Sequence, residues 1–192
     1  MQPRLSSHKS NQSPQRGVTL IETSVVTAII AVLMAVASPD LSSLIENRKL
    51  DGVASNLHTD IQFVRQEAVL RNTPVRLSFY SSGTSSCYVA HTGSHADCSC
   101  DSNGGAVCAA PIQQLKFVSL AAADRVTVQA NVNSILFDPL HGTSTPTGTL
   151  KVVAHSGRAV HHVVNVMGRV RSCSPQAASP SVIPAVPGYR AC

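Results

Sequence analysis

Glu22 is the only charged side chain in the apolar run of residues 18–38. As an α-helix rising about 1.5 Å per residue, this run would extend roughly 31 Å, close to a hydrocarbon thickness of about 30 Å. The run therefore predicts a single transmembrane helix. A carboxylate is costly inside a membrane and marks a functional position there, so Glu22 is the first candidate functional residue.

The residues before this run form a polar leader, residues 1–17, which contains Arg4, Lys9 and Arg16 and no acidic residue. Basic flanks stay on the cytoplasmic side of a membrane. The chain is therefore predicted to be a single-pass protein of a bacterial inner membrane, with everything after residue 38 in the periplasm. No small-residue cleavage site follows the apolar run, so any cleavage is expected before it.

The junction of leader and apolar run carries a motif. Gly17 ends the leader, and Val18-Thr19-Leu20-Ile21-Glu22 opens the apolar run. This arrangement resembles the signal of the type IV pilins and type II secretion pseudopilins. The resemblance implies that a prepilin peptidase cuts after Gly17 and methylates the new amino terminus at Val18, where the family usually has Phe. It also implies that other pilin or pseudopilin subunits are partners.

An assembly gives the buried carboxylate of Glu22 a physical role. In a membrane or a fibre core it can pair with the amino terminus of a neighbouring subunit, which sets the register between subunits. The alternative is a plain single-span anchor with a tolerated acid near the headgroups. The glycine and the basic leader favour assembly.

Residues 39–71 predict a one-sided helix that continues the apolar run, because apolar residues recur there every three or four positions. The stretch Asn72-Thr73-Pro74 is expected to end it. The recurring apolar residues are Leu41, Leu44, Ile45, Leu50, Val53, Leu57, Ile61, Val64 and Ala68.

The rest of the chain predicts an α+β, pilin-like fold in which the long amino-terminal helix packs on one β-rich globular head, residues 72–173, followed by a Pro-rich tail, residues 174–192. Apolar segments alternate with Gly, Pro, Ser and Asn clusters, which is typical of short strands. The predicted strands are residues 75–80, 87–91, 114–120, 126–130, 134–137, 150–155 and 159–170.

Three segments resemble the GspH/FimT branch of the family. They are the helix end at residues 67–75, the stretch Ile135-Leu136-Phe137-Asp138-Pro139 with Gly142, and Gly168-Arg169-Val170-Arg171. The resemblance extends from the leader to about Cys173. It implies a minor pilin or a minor pseudopilin.

Six cysteines outside the membrane predict disulfides, because the periplasm is oxidising. Pairing Cys173 with Cys192 would pin the Pro-rich tail to the last strand. The partners among the other four cysteines stay open, with two local bridges expected around a Gly- and Ser-rich loop. Those four cysteines are Cys87, Cys98, Cys100 and Cys108.

Metal binding and catalysis are not expected. A zinc site built from His91, His95 and the nearby cysteines would have a spacing unlike known fingers, so these histidines are interpreted as neutral surface residues. The pair His161-His162 beside Arg158 is interpreted as an exposed strand edge. The chain contains no G-x-S-x-G, H-E-x-x-H or Walker motif, so neither an enzyme nor a cofactor is predicted.

Charge is distributed unevenly along the chain. Residues 139–192 contain no acid, and an uncompensated basic surface attracts polyanions. A strand over residues 163–171 would place Asn165, Arg169 and Arg171 on one face, with Tyr189 brought near for base stacking. The basic residues of this segment are Lys151, Arg158, Arg169, Arg171 and Arg190.

The DNA-binding minor pilins of this branch are similar in carrying a G-R-x-R element near the end. The resemblance implies binding of double-stranded DNA by Arg169 and Arg171, with Arg158 and Arg190 nearby, during natural transformation. An ordinary solvated strand end is the alternative for the two arginines. For the whole protein, the alternative is a minor pseudopilin of a type II secretion system that contacts proteins at the fibre tip.

Overall fold

The computed structural model describes residues 17–101, 105–175 and 185–192, without the side chains of residues 36–40. The leader up to residue 16 therefore lies outside the described residues, as do residues 176–184 of the predicted tail. The chain divides into two compact units, of which the first ends at Ser42 and the second comprises Ser43–Cys192. The second unit is called the head below.

Helix α1, Leu20–Arg71, contributes to both units. It begins where the Thr19 hydroxyl accepts the backbone N–H of Glu22 at 3.3 Å, as a capping residue does. Within the first unit, hydroxyls such as that of Thr23 donate to backbone carbonyls of the preceding turn, which leaves the helix surface apolar. No helix within the described ranges combines the length and the mean hydropathy that a membrane crossing requires.

In the head, α1 buries one face completely. The buried residues follow a spacing of four and three, as expected for one side of a helix. Leu41, Leu44 and Ile45 are exposed, so the prediction that they join this face is wrong. The helix ends at Asn72, whose left-handed backbone (φ 48°) stops the helical repeat. The buried helix residues are Leu50, Ala54, Leu57, Ile61, Val64 and Ala68.

The strands of the head form three antiparallel sheets. In chain order they are β1 Val75–Ser82, β2 Ser85–His91, β3 Cys98–Cys100, β4 Ala106–Cys108, β5 Gln114–Leu120, β6 Val126–Ala130, β7 Ser134–Phe137, β8 Ser144–Thr145, β9 Gly148–Ala154, β10 Ala159–Val164 and β11 Val170–Cys173. The orders are β5-β2-β1-β7-β8, β11-β10-β9-β6 and β3-β4. Short 3₁₀ turns occupy His95–Asp97 and Ala122–Asp124.

One hydrophobic core joins α1 to the two larger sheets. Leu77 and Phe137 enter it from the five-stranded sheet, and Leu150 and Val160 from the four-stranded sheet; all four are fully buried. Aliphatic side chains dominate this core, as expected for a chain that has no Trp. The predicted α+β architecture of a long helix packed on a β-rich head is confirmed.

A buried carboxylate ties the helix to the five-stranded sheet. Asp60 on α1 is 3 % exposed, and its Oδ2 accepts the Tyr88 hydroxyl at 2.8 Å. Lys116 of β5 forms an ion pair with the other oxygen. Burial, together with the adjacent Asp60 carboxylate, raises the pKa of Tyr88. The hydroxyl is therefore a permanent donor to Asp60.

Candidate functional site

Arg169 and Arg171 lie on a hairpin, not on one continuous strand. The Asn165 N–H donates to the Arg169 carbonyl at 3.1 Å, the Gly168 N–H donates to the Asn165 carbonyl at 2.9 Å, and Gly168 has φ +68°. This is a tight turn closed by a left-handed glycine. The prediction of one strand through residues 159–170 is therefore wrong, because the Asn165–Gly168 turn divides it into β10 and β11.

The turn packs closely on the rest of the head. A Cβ at Gly168 would lie 2.5 Å from the Gly142 carbonyl oxygen, so only glycine fits there. That carbonyl accepts the Arg65 Nε–H of α1 at 2.9 Å. The Ser144 N–H donates to the Val166 carbonyl at 2.9 Å. The hairpin is thus fixed to α1 and to the segment that precedes β8.

Arg169 and Arg171 leave this hairpin as exposed side chains. Arg171 lies in β11 opposite Val163, and Arg169 immediately follows the turn. Within the described parts of the chain, neither guanidinium forms a hydrogen bond or an ion pair. Both positive charges are therefore available to a ligand.

His161 and Lys151 lie near these arginines, on the outer face of the four-stranded sheet. Strand register places His161 between Cys173 of β11 and Lys151 of β9. Lys151 is exposed and His161 partly so, whereas the alternate residue His162 is 1 % exposed and points inward. Burial and the Lys151 charge lower the pKa of His161. At neutral pH, His161 is therefore uncharged, and Lys151 adds a positive charge to the same outer face as Arg171.

Arg158 and Arg190 lie elsewhere. Arg158, in the turn between β9 and β10, is half-buried and donates to Asn47 of α1. Arg190 is exposed, and its carbonyl accepts the Ser174 N–H at 2.8 Å, just beyond β11. Both residues are at the ends of β10 and β11 remote from the hairpin. The four arginines proposed from the sequence therefore occupy two separate places.

The last residues of the chain lie beside the end of the edge strand β11. Cys173 and Cys192 form a disulfide with their Cα atoms 4.9 Å apart, and the backbone next to them forms a parallel bridge between Ser174 and Ala191. Tyr189 packs against the hydrophobic core, and its hydroxyl donates to Asp51 of α1 at 2.7 Å. The suggestion that Tyr189 offers its ring for stacking is wrong, because the core and Asp51 hold it.

The remaining four cysteines form two disulfides, Cys87–Cys100 and Cys98–Cys108. The second joins β3 to β4, a small sheet that the sequence pattern did not predict. The two bridges overlap along the chain and brace the segment after β2. Within the described ranges, no three His, Cys, Asp or Glu side chains are arranged as metal ligands.

His91 is buried, so its assignment to the surface is wrong. Its Nε2 lies 2.9 Å from the Ser78 hydroxyl, and its Nδ1 lies 2.9 Å from the Thr92 carbonyl oxygen. These two partners satisfy both ring nitrogens and make burial possible. His95 is partly exposed and stacks on Tyr80 with ring centroids 5.2 Å apart.

His162 also departs from its predicted position at an exposed strand edge. Strand β10 is internal to its sheet, and His162 faces α1. Its Nδ1 is 2.8 Å from the Ser172 hydroxyl, which is 3.4 Å from Nδ1 of His58. Burial, with a smaller effect of His58, lowers the pKa of His162 to about 4. It is therefore a neutral histidine between helix and sheet.

The processing and assembly residues belong to the first unit. Gly17, Val18 and Glu22 are exposed. The Glu22 carboxylate has no hydrogen bond or ion pair to any residue that the structure describes. The apolar side chains around it are also exposed, including Leu20 at 87 %. The isolated subunit thus presents an apolar helix surface with a single free carboxylate.

Comparisons with known proteins agree with this architecture. The family model described as type II transport protein GspH matches residues 53–168, and the prokaryotic N-terminal methylation motif matches residues 12–38. The crystal structure of the type IV minor pilin FimU of Pseudomonas aeruginosa is similar in fold, with a TM-score of 0.51 and 16% identity over 71% of this chain and 99% of that one. Comparison with curated proteins gives no match. The chain belongs to the GspH family, in the GspH/FimT branch of the type IV pilins and type II secretion pseudopilins.

Proposed function

We propose that this protein is a minor pilin of a type IV pilus that binds double-stranded DNA through Arg169 and Arg171 for uptake in natural transformation. The observation that carries the proposal is the pair of exposed, unpartnered guanidinium groups on the hairpin, in a segment, residues 139–192, without any acid. Arginine binds phosphate through several fixed N–H donors.

The hairpin is suited to hold these groups in place. Its turn is fixed by the Gly168 packing and by the hydrogen bonds to Asn165 and Ser144, so the backbone that carries Arg169 is ordered before a ligand arrives. Preorganisation lowers the entropy lost on binding. Contacts of this kind address the phosphates and carry no base preference, as suits uptake of DNA of any sequence.

Entry into a fibre is the second element of the proposal. Members of the family have a membrane-anchored amino-terminal segment and assemble with other subunits after prepilin peptidase processing. For this chain we propose cleavage between Gly17 and Val18, methylation of Val18, an inner-membrane anchor within residues 18–38, and a periplasmic head. The free Glu22 carboxylate then pairs with the amino terminus of a neighbouring subunit.

The DNA-binding element is tested by titrating a fluorescein-labelled duplex with the processed chain in mild detergent at several salt concentrations. The wild-type protein should bind with an affinity that falls as salt rises, and Arg169→Ala/Arg171→Ala should abolish binding. Arg48→Ala, which removes an exposed cation of α1, is the matched control and should bind normally. Near-UV circular dichroism of the tyrosines, all in the head, checks the fold. An unaltered affinity of the double variant would remove this site.

The assembly element is tested by replacing Glu22 with Ala. The variant should be processed but absent from sheared fibres, because the register contact is lost. Thr23→Ala, on the same helix turn, is the control and should be incorporated. Normal incorporation of Glu22→Ala would refute the register role.

The second candidate function is that of a minor pseudopilin in a type II secretion system. The description of the matching family as a type II transport protein favours it. In that case the head contacts protein partners at the pseudopilus tip. A correctly folded wild-type head that binds no DNA would support this candidate over the first.

A further inference from the structure

We propose that the DNA-binding surface continues from the hairpin across the outer face of the four-stranded sheet to Lys151, so that Arg169, Arg171 and Lys151 follow one phosphate backbone diagonally over the strands. This inference rests on the proposed DNA binding. It adds a residue and a direction to that site. We call the line from Arg169 to Lys151 the basic track.

The register of the sheet sets the dimensions of the basic track. Arg171 lies opposite Val163, and Val163 lies opposite Thr149, which is two residues before Lys151 on β9. With neighbouring strands about 4.8 Å apart and about 3.3 Å per residue, the Cα atoms of Arg171 and Lys151 are separated by roughly 12 Å. Arg169 lies about 7 Å from Arg171, on the side of Arg171 that faces away from Lys151.

These separations match a duplex. The basic track is roughly 16 Å from end to end by the same geometry, and each DNA strand carries one phosphate per about 3.4 Å of axis. About five phosphates of one strand therefore pass over it. Three long cationic side chains can contact three of them without any change in the sheet.

Three other cations of the head are less available to a ligand than those of the basic track. Lys49, Lys116 and Arg71 are each paired with an acid of the head. By contrast, Lys151 forms no ion pair with any described residue, and its cross-strand neighbours are neutral, namely His161 and Gln129.

His161 lies beside Lys151, at one end of the basic track. Its ring is flanked by Lys151 and by the Cys173–Cys192 disulfide, and its Nδ1 is 3.7 Å from the Cys192 sulfur. Because burial and Lys151 lower its pKa, the ring adds no positive charge to the basic track at neutral pH.

The inference is tested with the labelled duplex and the full processed chain in mild detergent. Lys151→Gln should reduce the slope of log affinity against log salt by about 0.9, the value for one lost phosphate contact, with similar weakening for duplexes of different sequence. Gln129→Lys places a new cation beside Lys151 on β6 and should raise the slope by a similar amount. Arg48→Gln is the control and should leave the slope unchanged.

The outcomes separate this inference from the proposed function. If Arg169→Ala/Arg171→Ala abolishes binding while Lys151→Gln and Gln129→Lys both keep the wild-type slope, the basic track is refuted and the site is confined to the hairpin. If the folded wild-type protein binds no DNA, or the double variant binds as wild type, both proposals fail. Slopes that change in opposite directions for the two variants support the basic track.

Discussion

Acid should destabilise the packing of α1 on the four-stranded sheet. His162 should account for about 2 kcal/mol of the loss in unfolding free energy between pH 7 and pH 5. This ring is buried, faces His58 of α1 and bonds to the Ser172 hydroxyl of β11. Burial lowers its pKa to about 4. The folded head therefore accepts the neutral ring and resists protonation.

The sign and the size of the effect follow from proton linkage. As pH falls, the unfolded chain protonates this histidine near pH 6.5, whereas the folded head does so only near the pKa of about 4. Stability is complete above about pH 6.5, declines as pH falls toward 4 and then levels off. Between pH 7 and pH 5 the free energy of unfolding should fall by about 2 kcal/mol from this group alone.

Tyrosine fluorescence during guanidinium unfolding measures this loss in the head, because Tyr80, Tyr88 and Tyr189 all lie there and the chain has no Trp. His162→Asn keeps a polar group near Ser172 but does not titrate. The difference in unfolding free energy between pH 7 and pH 5 should therefore shrink by about 2 kcal/mol in this variant.

Other histidines make a comparison between variants necessary. Burial also lowers the pKa of His91 and of His161, so they destabilise the head in the same direction as pH falls. The exposed His155 provides the matched control, and His155→Asn should retain the wild-type pH dependence. Equal losses in wild type and His162→Asn would show that His162 does not couple folding to pH.

Three further perturbations test the head. Asp60→Ala leaves the buried Tyr88 hydroxyl without its acceptor and should lower the unfolding free energy by about 3 kcal/mol; an unchanged guanidinium midpoint would contradict this. Gly168→Ala forces a Cβ against a carbonyl oxygen and should cost about 2 kcal/mol, with weaker DNA binding than wild type. Cys173→Ser/Cys192→Ser should cost about 3 kcal/mol and expose the tail to protease, and a tail as resistant as wild type would show that its other contacts suffice.

The sequence pattern predicts three strands with their observed bounds. Segments 114–120, 126–130 and 134–137 coincide with β5, β6 and β7, because turn-forming residues such as Pro111, Asn131 and Pro139 lie near their ends. The β10–β11 hairpin was missed because valines and histidines run on through residues 159–170. Asn165 and Gly168, three positions apart, were the signal that could have revealed it.

Other features depend on partners distant in sequence. His91 and His162 are buried because Ser78 and Ser172 supply hydroxyls from neighbouring strands, which no local pattern encodes. Leu41, Leu44 and Ile45 are apolar but exposed, because the five-residue step from Ile45 to Leu50 puts them on another side of α1 than the buried residues that follow. Whether Arg169, Arg171 and Lys151 find ion-pair partners likewise depends on residues distant in sequence.

The three disulfides of the head can form only in an oxidising compartment. Thiols are kept reduced in the cytoplasm, so newly made chains cannot hold Cys87–Cys100, Cys98–Cys108 or Cys173–Cys192 before the head leaves that compartment. Until then β11 and the carboxyl terminus are held together by noncovalent contacts alone. For the periplasmic head proposed above, the ratio of oxidised to reduced subunits in a cell should therefore measure how much of the protein has been exported.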